Sequence, residues 1–323
     1  MMDRFIIQWH ITHLCNLRCK HCYQEEYNQH IQKDNFYLIL NKLTDYLKNK
    51  EFLPQINLTG GEPLLHPNFF EFAQEIKNRN IKLGILTNGT LIDDEVAKKI
   101  SELKPVMVQI SLDGTEKTHD EIRGIGNFQK ALQGIDYLKK YNIKVLVSFT
   151  AQKNNYQDFA ELAKICKKHH VDKLWWDRVV TDDEQLFLTT DEFKELVQSC
   201  NKLIHNHNPF INYSFVSNQR SLQYIGVDDC TYNCSAGKSL IVILADGNVM
   251  PCRRLPFIVG NLLESTLDEI YTHPAMKQLR EFIAPQECLN CNHYMKCKGG
   301  ARCVTYAQLG SLIIKDVNCF YKS

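Results

Sequence analysis

The sequence predicts an α/β fold, an open, partial (β/α)6 barrel of TIM-like type followed by a small cysteine-rich C-terminal extension. Three observations carry this. Strand-like and helix-like stretches alternate six times through residue 205. Strands that alternate with helices run parallel through right-handed crossovers, and six units are too few to close an eight-stranded barrel, so the sheet is left splayed on one side. From about residue 230 the composition changes: eight of the thirteen cysteines fall in the last ninety-four residues. A core over residues 1–215 and an extension over residues 216–323 follow.

Residues 5–11 read as a strand. Residues 34–49 place Phe36, Leu40, Leu43, Tyr46 and Leu47 at helical spacing. Residues 55–59 form a second strand, 68–79 a helix, and 81–86 a strand ending in Thr87-Asn88-Gly89. A helix starts near Asp93 or Asp94, either of which can cap it. Residues 106–112, 143–150 and 173–179 are strands, and 127–141, 155–169 and 190–205 helices. In the extension, residues 239–244 and 249–252 flank Ala245-Asp246-Gly247-Asn248, a hairpin signal. Residues 266–283 have a helical pattern that Pro274 kinks or splits.

The chain has 38 basic and 37 acidic residues, a net charge of +1 that gives no electrostatic case for nucleic acid or an anionic membrane. No apolar run approaches the ~20 residues that cross a bilayer, and the N-terminus lacks a signal-peptide pattern. Thirteen cysteines without an export signal point to thiolate–metal chemistry in a reducing cytoplasm.

The chemistry centres on Cys15, Cys19 and Cys22, spaced C-x3-C-x2-C directly after the first strand. Three thiolates on one loop can hold a soft metal centre; on a four-iron cluster they leave one iron open to an outside ligand. A structural zinc knot is the blander alternative, but zinc sites pair C-x2-C with a second ligand pair, and none follows within fifty residues. Further polar motifs sit where strands end, where parallel α/β folds gather ligands. They are Gly60-Gly61-Glu62-Pro63, Thr87-Asn88-Gly89, Ser111-Leu112-Asp113-Gly114 with His119 to Gly124, and Trp175-Trp176-Asp177-Arg178. Of the two tryptophans, one should face inward and the other outward.

The cysteine loop with its flanks resembles the signature of the radical S-adenosylmethionine (SAM) enzymes, C-x3-C-x-φ-C with φ aromatic, here His21. The resemblance implies a [4Fe–4S] cluster on Cys15, Cys19 and Cys22, with SAM on its open iron, and reductive cleavage to a 5′-deoxyadenosyl radical. It implies that Gly60, Gly61 and Glu62 hold the SAM amino group, and that Ser111 and Asp113 lie near its ribose or methionine end. Asn88 is either a SAM contact or a plain turn residue. Arg123 either pairs with a carboxylate or holds its loop.

The extension resembles the SPASM domain. Cys234, Gly247 and Cys252 fit its first part, Cys288, Cys291 and Cys297 its second, and Cys319 its end. Ala301 stands where a further cysteine belongs, and the next thiol is Cys303. The resemblance implies one auxiliary cluster on Cys288, Cys291, Cys297 and Cys319. A second would use Cys234, Cys252, Cys230 and the displaced Cys303, the last two being either ligands or free thiols. Cys166 and Cys200 fall inside helical patterns, where cysteine packs as a small apolar residue.

SPASM enzymes mostly modify peptides or proteins, so the resemblance implies a maturase of a ribosomally made peptide and a flavodoxin- or ferredoxin-type reductant. With fourteen residues before the first cysteine, leader recognition is expected to need a separate protein, or a short substrate to enter the barrel directly. The alternatives are formylglycine formation on sulfatases, with a carboxylate such as Asp177 as base, a small-molecule SPASM enzyme, and a non-catalytic iron–sulfur carrier.

Overall fold

The computed structural model describes residues 3–24, 26–48, 50–205, 213–217, 234–281 and 285–321. Cys230 lies outside them. The described strands form one sheet of ten in the order β10-β9-β8-β1-β2-β3-β4-β5-β6-β7. The core strands are β1 (Asp3–Thr12), β2 (Phe52–Gly60), β3 (Lys82–Thr87), β4 (Met107–Ser111), β5 (Val145–Ala151) and β6 (Lys173–Arg178). Each pairs in parallel with the next, and β7 (Val216–Ser217) adds a short seventh parallel strand beside β6. This is the parallel α/β sheet that the periodicity predicts.

The connecting helices are α1 (Lys33–Lys48), α2 (Phe69–Asn78), α3 (Asp94–Leu103), α4 (Glu116–Arg123), α5 (Asn127–Lys140), α6 (Phe159–Lys168) and α7 (Thr190–Ile204). Helix α1 buries Phe36, Ile39, Leu40 and Leu43, the i, i+3, i+4, i+7 stripe of a core-facing helix. Phe36 stacks between Trp9 and Phe72, tying α1 and α2 to β1. Asp93 caps α3 by accepting from the Val96 amide, and Thr189 with Glu192 forms a capping box on α7. Helix α4 is absent from the sequence reading: only His119 and Ile122 are buried along its eight residues, too little for a periodic signal.

The extension does not form a separate sheet. Strand β8 (Leu240–Ile243) runs parallel to β1, from Ile6↔Leu240 to Trp9↔Ile243, so it continues the core sheet at its open β1 edge. Strand β9 (Asn248–Met250) returns antiparallel through the expected Asp246-Gly247 turn, where Gly247 has φ +85°, and β10 (Gly260–Asn261) completes the sheet. The helical pattern over residues 266–283 splits into α8 (Leu267–Tyr271) and α9 (Pro274–Arg280), with the proline at the first position of the second helix, where its missing N–H costs nothing. Two short helices follow, α10 (Tyr294–Cys297) and α11 (Arg302–Leu309), the latter unforeseen. Among the described residues no helix is long and apolar enough to cross a membrane.

Candidate active site

Strand β1 ends at Thr12 and runs straight into the loop of Cys15, Cys19 and Cys22, which the neighbouring strand ends then lace in place. The Gly61 amide donates to the Thr12 carbonyl at 2.8 Å, and the Glu62 amide to the Leu14 carbonyl at 2.7 Å. This approach is possible only without side chains: a Cβ on Gly60 would lie 2.2 Å from the Thr12 carbonyl oxygen, and one on Gly61 2.3 Å from that of Leu14. The two glycines also line the cavity described below, but the close approach they permit is to the cysteine loop's own backbone. Beyond β3, Asn88 Nδ2 donates to Asn16 Oδ1 at 2.9 Å and lies 4.0 Å from Cys15 Sγ. Its Oδ1 accepts from the amide and hydroxyl of Thr90, so Asn88 both shapes its turn and faces the cysteines. From α4, Arg123 Nη1 lies 3.7 Å from Cys19 Sγ, and the Ile122 carbonyl accepts from the Lys20 amide at 3.0 Å.

The two carboxylates expected near SAM lie one layer behind the cavity surface. Glu62 is fully buried and accepts from Thr87 Oγ1 (2.8 Å), the Asn88 amide (2.8 Å) and the Leu64 amide (3.2 Å). Burial pushes its carboxyl up to about 7, against the pull of those three donors. Asp113 is fully buried as well. It accepts from Arg123 Nε at 2.5 Å and from the Thr150 amide at 2.8 Å, with His21 Nε2 3.7 Å away. Burial alone would raise Asp113, but the Arg123 guanidinium, His21 and the amide outweigh it and hold the carboxyl below its usual range. Arg123 pairs with a carboxylate of its own chain and fastens α4 to the cysteine loop.

All three cysteines open onto one cavity of about 320 Å³ at the carboxyl ends of the core strands. Asn88, Ser111 and Arg123 line it, and Ser111 Oγ lies 3.4 Å from Ser148 Oγ, also on its wall. Trp175 faces the cavity, whereas Trp176 is fully buried against Phe159 and Phe193, the alternation expected of a strand end. Asp177 lines the cavity too, and its carboxylate is engaged by Arg254 at 2.8 Å. His21 occupies the φ position of the cysteine motif. Burial depresses its imidazole to about 4; His21 lines the cavity, and its Nδ1 is buried without a hydrogen-bond partner.

The far wall of the same cavity belongs to the extension. Cys234, Cys252 and Cys303 face it, and pack with Ala236, Leu255 and Val304 into a small apolar cluster. Cys303 therefore stands with Cys234 and Cys252 despite its two-residue displacement. The turns around Cys288, Cys291, Cys297 and Cys319 bring those four thiols around a separate small cavity with Tyr294 and Asp316. Cys166 and Cys200 are fully buried in the main core, far up their helices' apolar faces.

Sequence reasoning missed the residues that join the two parts. Arg178 and Asp316, both almost fully buried, form a two-pronged ion pair at 2.7 and 2.6 Å. Asp316 also accepts from the Ala301 and Asn318 amides, so one carboxylate ties β6, the start of α11 and the Cys319 turn together. Arg253 and Arg254, next to Cys252, carry the extension onto Tyr23 and Asp177 of the core. The Arg-Arg pair beside a cysteine was the available signal; Asp316 offered none.

The residues fit a cluster with SAM. Three thiols share one cavity edge, with Asn88 and Arg123 N–H groups turned toward two of the sulfurs, an arrangement that suits cluster ligands. Burial raises the Cys19 thiol and pushes Cys15 up to about 11, so binding iron there releases protons. Among the described residues no three His, Cys, Asp or Glu side chains are drawn together around a single-ion site. The thiols instead border cavities.

The model of the radical SAM superfamily matches residues 9–171, and that of SPASM, an iron–sulfur cluster-binding domain, matches residues 234–292. The chain belongs to the radical SAM superfamily and is an enzyme of that class, with SAM and [4Fe–4S] clusters as its cofactors. Among curated relatives, it is 25% identical over 342 residues to the AdoMet-dependent heme synthase of Oleidesulfovibrio alaskensis, covering 98% of this chain and 87% of that one. It is also 25% identical over 316 residues to the mycofactocin maturase MftC of Mycobacterium ulcerans, covering 91% and 82%. In fold it is similar to anSMEcpe with bound AdoMet and Cp18Cys peptide (TM-score 0.82, 20% identity, 97% and 93% covered). It is similar as well to Streptococcus suis SuiB bound to S-adenosylmethionine (TM-score 0.77, 18% identity, 99% and 78% covered).

Proposed function

We propose that this enzyme modifies a ribosomally made peptide by hydrogen-atom abstraction, to form a crosslink or thioether or to epimerise a residue, with Cys15, Cys19 and Cys22 holding the cluster that binds SAM. One observation carries the reading: Cys15, Cys19 and Cys22 and the extension's Cys234, Cys252 and Cys303 face a single cavity. Cys15, Cys19 and Cys22 would hold the [4Fe–4S] cluster and, through it, SAM, which together would supply the radical chemistry for hydrogen-atom abstraction. Substrate in this cavity lies between that source and a second thiol set able to hold an electron acceptor. Gly60 and Gly61 fix the cysteine loop against β2, Asn88 and Arg123 direct N–H groups at its sulfurs, and Asp113 holds Arg123 in place. Ser111, Ser148 and His21 supply the polar wall for SAM. Cys288, Cys291, Cys297 and Cys319 would hold one auxiliary cluster, and Cys234, Cys252, Cys303 and Cys230 another, and a flavodoxin- or ferredoxin-type reductant would supply the electron that reductive cleavage of SAM consumes.

The mycofactocin maturases support the peptide, and the heme synthases, which match 98% of the chain, support a second reading, a small-molecule substrate. Deuterium transfer separates them. Extract from cells grown in deuterated medium is supplied to the reduced enzyme with unlabelled SAM, with and without prior protease digestion. Deuterium appearing in 5′-deoxyadenosine only from undigested extract supports a peptide; transfer that survives digestion replaces it with the small molecule.

A further inference from the structure

Among the described residues four arginines line the cavity: Arg123, Arg178, Arg253 and Arg254. Three have carboxylates of their own: Asp113 for Arg123, Asp316 for Arg178 and Asp177 for Arg254. Asp177 is the one carboxylate among the described lining residues, and Arg254 occupies it. Arg253 has no carboxylate partner among the described residues. Its guanidinium lies 4.0 Å from the Tyr23 ring centroid, Nη2 reaches the Tyr23 carbonyl at 3.5 Å, and Nη1 meets Met250 Sδ at 3.7 Å. Its Nε is buried and bonds to nothing. A guanidinium offers five donors in a planar fork that matches a carboxylate, and this partly buried one, held by the ring, hydroxyl side and carbonyl of Tyr23 and by a sulfur, has no anion beside it among the described residues.

The position is as informative as the missing partner. Arg253 follows Cys252 of the extension and stacks on Tyr23, which follows Cys22 of the core. An anion on Arg253 is therefore held between the two cysteine sets that face the cavity. We propose that Arg253 is the substrate-anchoring residue and that the substrate carries a carboxylate which pairs with it, an acidic side chain on a peptide or an acid group on a small molecule. This rests on the cavity being the substrate site, as read above. Arg253 acts by binding and orienting; the hydrogen-atom abstraction is done elsewhere in the cavity.

The test uses holoenzyme reconstituted with iron and sulfide and saturated with SAM. Two acid probes are titrated calorimetrically, each beside a neutral counterpart: coproporphyrin III against its tetramethyl ester, and an end-blocked Gly-Glu-Gly-Glu-Gly peptide against the same peptide with Gln for Glu. The expected result is a preference of about tenfold or more for at least one acid over its neutral form. Arg253→Gln removes that preference, Arg253→Lys keeps part of it, and SAM affinity and iron content stay at wild-type values in both. The inference is overturned if neither acid binds, if acid and neutral forms bind alike, if the preference survives Arg253→Gln, or if that variant weakens SAM by the same factor. A preference confined to the porphyrin upholds the carboxylate anchor and removes the peptide reading. A preference confined to the Glu peptide upholds the anchor and removes the small-molecule reading.

Discussion

The two cysteine sites that sit farthest from each other in the sequence are built in opposite ways. Within the loop of Cys15, Cys19 and Cys22 the local backbone–backbone bond runs from the Cys22 amide to the Cys19 carbonyl, and Arg18 Nη1 donates to the Cys15 and Leu17 carbonyls. The loop is positioned from outside, by the ends of β2 and β3 and the last turn of α4. The turns around Cys288, Cys291 and Cys297 instead bond to themselves: Cys291 to Cys288, Tyr294 to Cys291, Cys297 to His293. Their tie to the core runs through Asp316, which reaches Arg178 of β6. A site made by converging strand ends is rigid only when the whole sheet is folded, and it places its contents at the sheet's carboxyl edge, where substrate enters. A site made of local turns can be carried as a unit, and here the Arg178–Asp316 clamp ties it to the core together with Asn318, which accepts from Arg178 and donates to the Leu188 carbonyl.

The largest expected effect separates the two sites outright. Replacing Cys15, Cys19 and Cys22 together by Ala should abolish 5′-deoxyadenosine formation and remove about four irons per chain, leaving the auxiliary iron in place. Loss of all iron would mean that the sites do not assemble independently. Next in size is the clamp. Arg178 and Asp316 are both nearly fully buried, so Asp316→Asn strands a buried guanidinium, at a cost of about 3–5 kcal/mol. Thermal unfolding should shift accordingly, and iron loss should be confined to the extension. A variant with wild-type stability would show that the extension is held by its pairing with β1 and its other contacts without this ion pair.

Gly61→Ala probes the other design. The added methyl would meet the Leu14 carbonyl and push the cysteine loop off β2. SAM cleavage should fall about a hundredfold, equivalent to nearly 3 kcal/mol, with the extension's iron unchanged. A Gly61→Ala enzyme that cleaves SAM at the wild-type rate would show that the loop does not depend on this lacing.

What the sequence disclosed follows the same division. Local spacing shows wherever a structure is local: the three-cysteine loop, the Asp246-Gly247 hairpin and the break at Pro274 are all visible within a few residues. The parallel sheet is visible because its period repeats six times. Residue type at a strand end was legible, but its aim was not. Glu62 and Asp113 stand at the expected strand ends, yet both carboxylates turn inward, because only the folded sheet shows which amides and guanidinium lie within reach. The Arg178–Asp316 pair spans 138 residues, and nothing near either residue announces it. Cys303 was misaligned by count but not in space, since α11 turns it toward Cys234 and Cys252.

The smallest expected effect tests how far the cysteine loop's support reaches. His119 is almost fully buried on α4, and its Nδ1 accepts from the Asp113 amide at 3.2 Å, so the ring must be neutral at that nitrogen. Burial, then repulsion from Arg123, depresses the imidazole to about 4. A histidine whose folded value is depressed below that of the unfolded chain contributes stability that is complete above the unfolded value. That contribution is lost as pH falls toward the folded one, because the unfolded chain then binds more protons. From pH 7 to pH 5 the wild-type chain should lose about 2 kcal/mol relative to His119→Gln, which keeps an acceptor but does not titrate. Urea unfolding of both proteins at the two pH values measures this directly. Parallel pH profiles would show that α4 does not transmit His119's charge to β4. A steeper wild-type profile would make the α4 contact, with its arginine on Cys19 and its histidine on the Asp113 amide, one electrostatic unit supporting the loop from behind.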